Sequence, residues 1–145
     1  MVFYLVFQNI VGNFIIKYIM IITDTLSNLF SKIKNGYLVK KTKIIQQKSK
    51  QSINILNILI KEGFIKSYKI NSKNQLNIYL KYKKNKASIT EIKRLSKPGK
   101  RIYLKNKELY KKKTGFYILS TSAGILTDLQ AKKLNLGGEL ICKIF

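Results

Sequence analysis

The run Ser49–Tyr82, SKQSINILNILIKEGFIKSYKINSKNQLNIYLKY, changes its hydrophobic period halfway along. Up to Glu62 the apolar residues Ile53, Ile55, Leu56, Ile58, Leu59 and Ile60 fill more than a narrow helical stripe, with Ser49 placed as N-cap and Gly63 as stop. Beyond Gly63, two runs, Phe64–Ile70 and Gln75–Tyr82, flank the turn-forming Asn71-Ser72-Lys73-Asn74. In the second run Leu76, Ile78, Leu80 and Tyr82 alternate with Asn77, Tyr79 and Lys81, the period of a strand with one buried face. A buried helix feeding a β-hairpin sets the class as α+β.

Toward the N-terminus, Leu26, Leu29, Phe30 and Ile33 follow the i, i+3, i+4, i+7 rule, so Asp24–Asn35 is predicted as an amphipathic helix. Thr23 or Asp24 caps it and Gly36 is expected to stop it. Residues 41–46 read as a short strand. Toward the C-terminus, the polar stretch Lys83–Ala87 is the expected linker. After it Ile89–Leu95 and Arg101–Leu104 read as strands separated by the turn Lys97-Pro98-Gly99, and Phe116–Thr121 as a third. Thr127-Asp128-Leu129-Gln130 has the form of a capping box and opens a short helix through Leu134, which Gly137 is expected to close. Glu139–Phe145 completes the series. The expected organisation is two small subdomains: an N-terminal α-β-α-β-β unit over 23–82, the linker 83–87, and a C-terminal unit over 88–145 that is mostly β with a short helix.

The chain has 145 residues, 46% of them apolar, enough for one ordinary domain or two very small ones with a real core. Its 29 basic residues face only 6 acidic ones, a net charge of +23 that calls for a polyanionic partner. That charge is a central belt, with +13 over residues 71–113 against +1 over 114–145. Lysine clusters such as Lys81/Lys83/Lys84/Lys86 and Lys111/Lys112/Lys113 suit a phosphate backbone. The absence of His and the single cysteine, Cys142, exclude a disulfide within the chain, an ordinary Cys/His zinc site, and catalysis by a Ser-His-Asp or Cys-His group. No phosphate-cradling glycine loop is present either, and no cofactor, metal or small-molecule substrate is expected. Met1–Ile22 is a mostly apolar extension interrupted by Gln8, Asn9, Gly12, Asn13 and Lys17. Those polar residues disfavour a membrane span, and neither a secretory nor a transit signal is legible in it.

Four stretches in a fixed order then carry a resemblance: Asp24 through Ser31-Lys32-Ile33-Lys34-Asn35-Gly36; Lys61-Glu62-Gly63-Phe64-Ile65; Lys93 through Lys97-Pro98-Gly99-Lys100-Arg101-Ile102-Tyr103; and Ser120-Thr121-Ser122-Ala123-Gly124, with Thr127-Asp128 and Gly137-Gly138-Glu139 after it. Residues 24–145 resemble the bacterial-type family of small-subunit ribosomal protein S8, whereas residues 1–22 lie outside the resemblance. The resemblance implies a two-domain α+β protein without enzymatic activity that binds the central domain of small-subunit ribosomal RNA early in assembly, beside neighbouring small-subunit proteins. It places Ser120, Thr121, Ser122, Gly124 and Glu139 against a distorted RNA stem. Lys32, Lys34, Asn35, Ser49 and Lys50 match RNA-facing stretches of the family's first half, and Lys97, Arg101 and Tyr103 belong to its Pro-Gly-x-Arg-x-Tyr segment. Tyr103 is open to two readings, a stacking residue or a core residue. Cys142 matches a cysteine of the last strand and reads as core. Ala123, where the family usually has a basic residue, removes one phosphate contact, and Leu109-Tyr110 and Leu129-Gln130 are further departures.

Lysines supply sequence-independent attraction, while short hydroxyls and a carboxylate can read 2′-hydroxyls and base edges, so a nearly neutral C-terminal segment is compatible with specific RNA contact. Two competing readings remain. One is a basic membrane-surface protein anchored by residues 1–22; the other is an RNA-processing enzyme, which would need clustered carboxylates or another catalytic group, with Asp128 brought near Glu139 as its simplest support. The Lys/Ile/Asn bias and atypical N-terminus point to a mitochondrial ribosome in the matrix, with a plastid or bacterial cytoplasmic ribosome as the alternative.

Overall fold

The computed structural model describes residues 24–111 and 115–145; the hydrophobic extension 1–22 falls outside them. In chain order the elements are α1 (Thr25–Leu38), β1 (Lys43–Gln47), α2 (Lys50–Lys61), β2 (Ile65–Ile70), β3 (Gln75–Leu80), β4 (Tyr82–Lys83), β5 (Lys86–Ala87), β6 (Ile92–Arg94), β7 (Tyr103–Leu104), α3 (Asn106–Lys111), β8 (Phe116–Thr121), β9 (Gly124–Thr127), α4 (Asp128–Lys133) and β10 (Gly138–Ile144). This is the mixed α+β architecture expected, helix-rich at the N-terminal end and mostly β at the other.

Helix α1 buries Leu26, Leu29, Phe30 and Ile33, the predicted stripe, and Asp24 caps it by accepting the Ser27 N–H at 3.1 Å. Gly36 does not end it. The helix continues for another half turn because Gly36 is the point of closest approach to the sheet, where a Cβ would stand 2.8 Å from Ile44 Cγ2 and 2.9 Å from Leu80 Cδ1. The turn back is made by Lys40, in the left-handed region at φ 52°, with the Lys40 and Lys41 N–H groups donating to the carbonyls of Tyr37 and Gly36. Helix α2 ends in the same geometry, and here Gly63 takes the left-handed position as expected (φ 75°).

The N-terminal sheet has the order β1-β3-β2, all antiparallel, with Ile44, Leu76, Ile78 and Leu80 facing the helices. Asn71 and Asn74 form its hairpin turn, Asn74 at φ 55°. The expected linker is itself structured: Tyr82–Lys83 pairs with Lys86–Ala87, and Lys84 and Asn85 both take positive φ, which is the two-residue turn that matches strand twist. In the C-terminal sheet β10 lies between β8 and β6, β9 flanks β8, and β7 pairs with the start of β10. The expected strand 89–95 shrinks to Ile92–Arg94 and 101–104 to Tyr103–Leu104. The capping box forms as read, Thr127 and Gln130 each bonding the other's backbone N–H, but Asn135 (φ 55°), not Gly137, turns the chain at the end of α4.

The main hydrophobic core joins the two halves. Leu29, Ile33, Ile55 and Ile78 share it with Ile92, Ile118, Cys142 and Ile144, on one face of the C-terminal sheet. A second, smaller core on the other face gathers Leu109, Tyr117, Leu119, Ala131 and Leu140 under α3 and α4.

Candidate nucleic-acid interface

Strands β8 and β9 form a hairpin in which Thr121 stands opposite Gly124, leaving Ser122 and Ala123 as a two-residue loop. Thr121 Oγ1 donates to the Gly124 carbonyl at 2.9 Å, and Gly124 takes φ 109°, a conformation closed to most other residues. Ser122, Ala123 and Gly124 are exposed; Ser120 and Thr121 are half-buried. Beside the hairpin, Glu139 pairs in register with Ser120 on one side and with Tyr103 on the other. Gly138 permits that closeness, since a Cβ there would stand 2.2 Å from the Ser120 carbonyl oxygen.

Glu139 is not a loose carboxylate. Its Oε1 accepts a hydrogen bond from the buried Ser96 hydroxyl and another from Arg101 Nη1 at 2.5 Å. Burial by itself would raise its pKa, but these donors and the nearby Arg94 charge more than offset that and hold it below the usual Glu value. Arg94 in turn donates its Nε to the Ser96 carbonyl at 2.7 Å and its Nη1 to Asp24. Asp24 shows the same balance: burial raises its pKa, the Arg94 and Ser27 hydrogen bonds lower it, and the net shift is downward. Two carboxylates, two guanidinium groups and one hydroxyl thus line a polar cleft of about 150 Å³ together with Ser120, Pro98 and Gln51.

Gln51 brings the start of α2 to this cleft, whereas Ser49 and Lys50, just before it in the chain, do not line it. Ser49 also has a structural task, accepting the Ser52 N–H at 3.1 Å as N-cap and donating to Ser52 Oγ at 2.7 Å. Lys97 is exposed at the foot of a closed turn in which Lys97 and Lys100 exchange backbone hydrogen bonds of 2.9 Å. Tyr103 is 68% exposed, which answers the open question: its ring lies on the surface, one strand from Glu139. Lys32, Lys34 and Asn35 fall elsewhere. Lys32 and Asn35 line a separate groove between α1 and β1, with Lys32 Nζ donating to the Ile45 carbonyl at 2.9 Å, while Lys34 lines another hollow with Ile89 and Thr90. The residues missed by reading the sequence are Asp24 in its second role, Arg94 and Ser96. A signal existed: all but two of the 29 basic residues are Lys, and the exceptions, Arg94 and Arg101, are the two cations that grip this network.

Asp128 pairs with Lys132 at 4.0 Å on α4 rather than with Glu139. Among the described residues no three His, Cys, Asp or Glu side chains group to hold a metal ion, and no helix is long and apolar enough to cross a membrane. Fold and site together define a basic α+β protein whose polar network ties the first helix to the C-terminal sheet. The family model described as ribosomal protein S8 matches residues 24–145. The chain is similar to the small ribosomal subunit protein uS8 of Rickettsia typhi, 44% identical over 132 residues that cover 87% of this chain and all of the relative. It is similar in the same way to uS8 of Orientia tsutsugamushi (strain Ikeda), 42% over 133 residues, again 87% of this chain and all of the relative. The protein uS8m of Acanthamoeba castellanii is 44% identical over 123 residues, 82% of this chain and 97% of its own. The chain belongs to the ribosomal protein S8 family, whose members are structural and not enzymes.

Proposed function

We propose that the protein is a structural constituent of the small ribosomal subunit that binds the central domain of small-subunit ribosomal RNA and assists its assembly. The observation that carries this reading is the joining of exposed Ser122, Ala123 and Gly124 to Glu139 and Tyr103 on adjoining strands, with Arg101, just before β7, bonded to Glu139. Hydroxyls, a carboxylate, a guanidinium fork and an aromatic face stand there within one small surface, the groups needed to read an irregular RNA stem rather than merely to attract it. Lys97 and, at the start of α2, Lys50 supply phosphate contacts, and Lys32, Lys34 and Asn35 on α1 add to them. Neighbouring small-subunit proteins complete the partners. The bacterial relatives and the uS8m relative support a ribosome of bacterial type, and the Lys/Ile/Asn bias supports the mitochondrial matrix as its site.

The test is a filter-binding comparison of a central-domain RNA stem with a scrambled duplex. Ser122→Ala is expected to weaken the cognate stem by about 1 kcal/mol and leave the scrambled duplex unchanged. Changing Lys83, Lys84 and Lys86 together to Ala should weaken both equally. Equal losses on both RNAs from Ser122→Ala would overturn the reading role of the loop.

A further inference from the structure

The β1-β3-β2 sheet covers its helices with one face and leaves the other uncovered among the described residues. Register and pleat fix what that outer face presents. Lys43 stands opposite Tyr79, which stands opposite Ser67; in the next row Ile45, Asn77 and Lys69 align in the same way. Tyr79 and Asn77 belong to the central strand and are half-buried, whereas Lys43, Ile45 and Lys69 are exposed, Ile45 to 47%. No carboxylate stands in these rows. Asn77 Oδ1 is buried and has no hydrogen-bond partner among the described residues.

We propose that this outer face is a second RNA contact, a platform on which a single-stranded segment lies across the central strand. The chemistry selects the partner. Lys43 and Lys69 occupy diagonal corners roughly 12 Å apart, given strand spacings of about 4.8 Å and a rise of about 3.4 Å per residue, so two phosphates of one strand can reach both. Between them Tyr79 and Ile45 offer an aromatic face and an apolar edge to unpaired bases. A second copy of a chain carrying +23 would meet its own charge here, and an acidic peptide would use the lysines but not the ring. The platform is built from other strands than the Ser120–Glu139 surface, so the proposal does not depend on the reading given to that loop.

The experiment uses the full chain and a short fluorescent oligouridylate, followed by anisotropy at one fixed salt concentration. Tyr79→Leu is expected to weaken binding about tenfold, with Tyr79→Phe retaining it, because stacking needs the ring and not the hydroxyl. Circular dichroism melts of both variants establish that they fold. Lys43→Ala with Lys69→Ala should weaken binding more than Lys107→Ala with Lys133→Ala, which removes the same charge from α3 and α4. The proposal is overturned if Tyr79→Leu folds and binds as the parent does, if the two lysine pairs lose equally, or if Ser122→Ala weakens oligouridylate as much as Tyr79→Leu. A dimer in sedimentation that Tyr79→Leu dissociates would overturn it as well. A Ser122→Ala variant with full affinity for the cognate stem would count against the loop alone and leave the platform standing.

Discussion

Asp24 and Arg94, 70 residues apart in sequence, are bonded side chain to side chain, so the residue that caps the first helix also anchors the sixth strand. One carboxylate therefore does two things at once. It satisfies an N–H of α1, and it neutralises a guanidinium whose side chain is only 12% exposed.

Separating these tasks gives the first prediction. Asp24→Asn keeps a capping acceptor and loses the ion pair; Asp24→Ala loses both and leaves Arg94 facing a gap. Thermal melts should rank the parent above Asn and Asn above Ala, the last destabilised by about 2 kcal/mol. An Ala variant melting with the parent would show that the pair contributes nothing.

The same network predicts acid sensitivity. Asp24 and Glu139 both titrate below their ordinary values, 3.8 and 4.5, in the folded chain. A depressed carboxylate adds stability that is fully present above its unfolded pKa and is lost as pH falls through the folded one, because the unfolded chain takes up protons first. Urea midpoints should be flat from pH 7 to about pH 5 and fall below about pH 4. The double variant Asp24→Asn, Glu139→Gln should start lower and fall less steeply.

Gly138→Ala tests how closely β10 and β8 must approach. The added methyl would meet the Ser120 carbonyl oxygen, a backbone atom with nowhere to go. A loss of about 1–3 kcal/mol is expected, and with it a shift in amide signals of Ser120 and Glu139. Gly99→Ala, where no atom lies within 4 Å of the new Cβ, should change the melting temperature by little.

Glu139→Gln addresses what the carboxylate is for. Removing a negative charge from a protein that meets a polyanion would by simple electrostatics tighten binding. In the structure the charge also holds Arg101 and Ser96 in place, so its loss should loosen the reading surface and weaken the cognate stem by about 1–3 kcal/mol. Titrations of both proteins at one salt concentration decide between the two signs.

Cys142 is fully buried, and burial pushes its thiol up to about 12, against a small opposing pull from Arg94. Only the thiolate reacts with alkylating reagents. At neutral pH iodoacetamide should therefore label the chain only through global opening, at a rate that rises with urea in step with the unfolded fraction. Rapid labelling of the folded protein would contradict the position of β10.

Long periodic elements were legible in the sequence, and short ones were not. The four-residue spacing of α1, the hairpin β2–β3, the strand Phe116–Thr121 and the Thr127–Gln130 box each repeat a signal over enough residues to be read. Helix α3 is six residues long, fewer than two turns, which is too short to show a period; Leu109 is the one fully buried side chain among its described ones. Strand β9 has four residues and draws its pairing from β8. By sequence Gly36 and Gly137 have the position of helix stops, because glycine usually is one; in the fold their missing side chains make room for neighbours, which only tertiary packing reveals. At the candidate site the motif residues were found by resemblance, whereas Asp24, Arg94 and Ser96 act through partners up to 70 residues away, a distance no local pattern encodes.

The shared main core has a consequence in time. Leu29, Ile33, Ile55 and Ile78 are made early, yet they are sealed by Ile118, Cys142 and Ile144, the last of which belong to β10. During synthesis the first half emerges with its apolar surface still open and waits seconds, at roughly 5–20 residues per second, for the closing strand. The nascent chain is meanwhile densely cationic, +8 over residues 24–70 and +13 over 71–113, so copies emerging side by side repel before their exposed surfaces can meet. The belt of lysines thus holds newborn copies apart until the closing strand arrives.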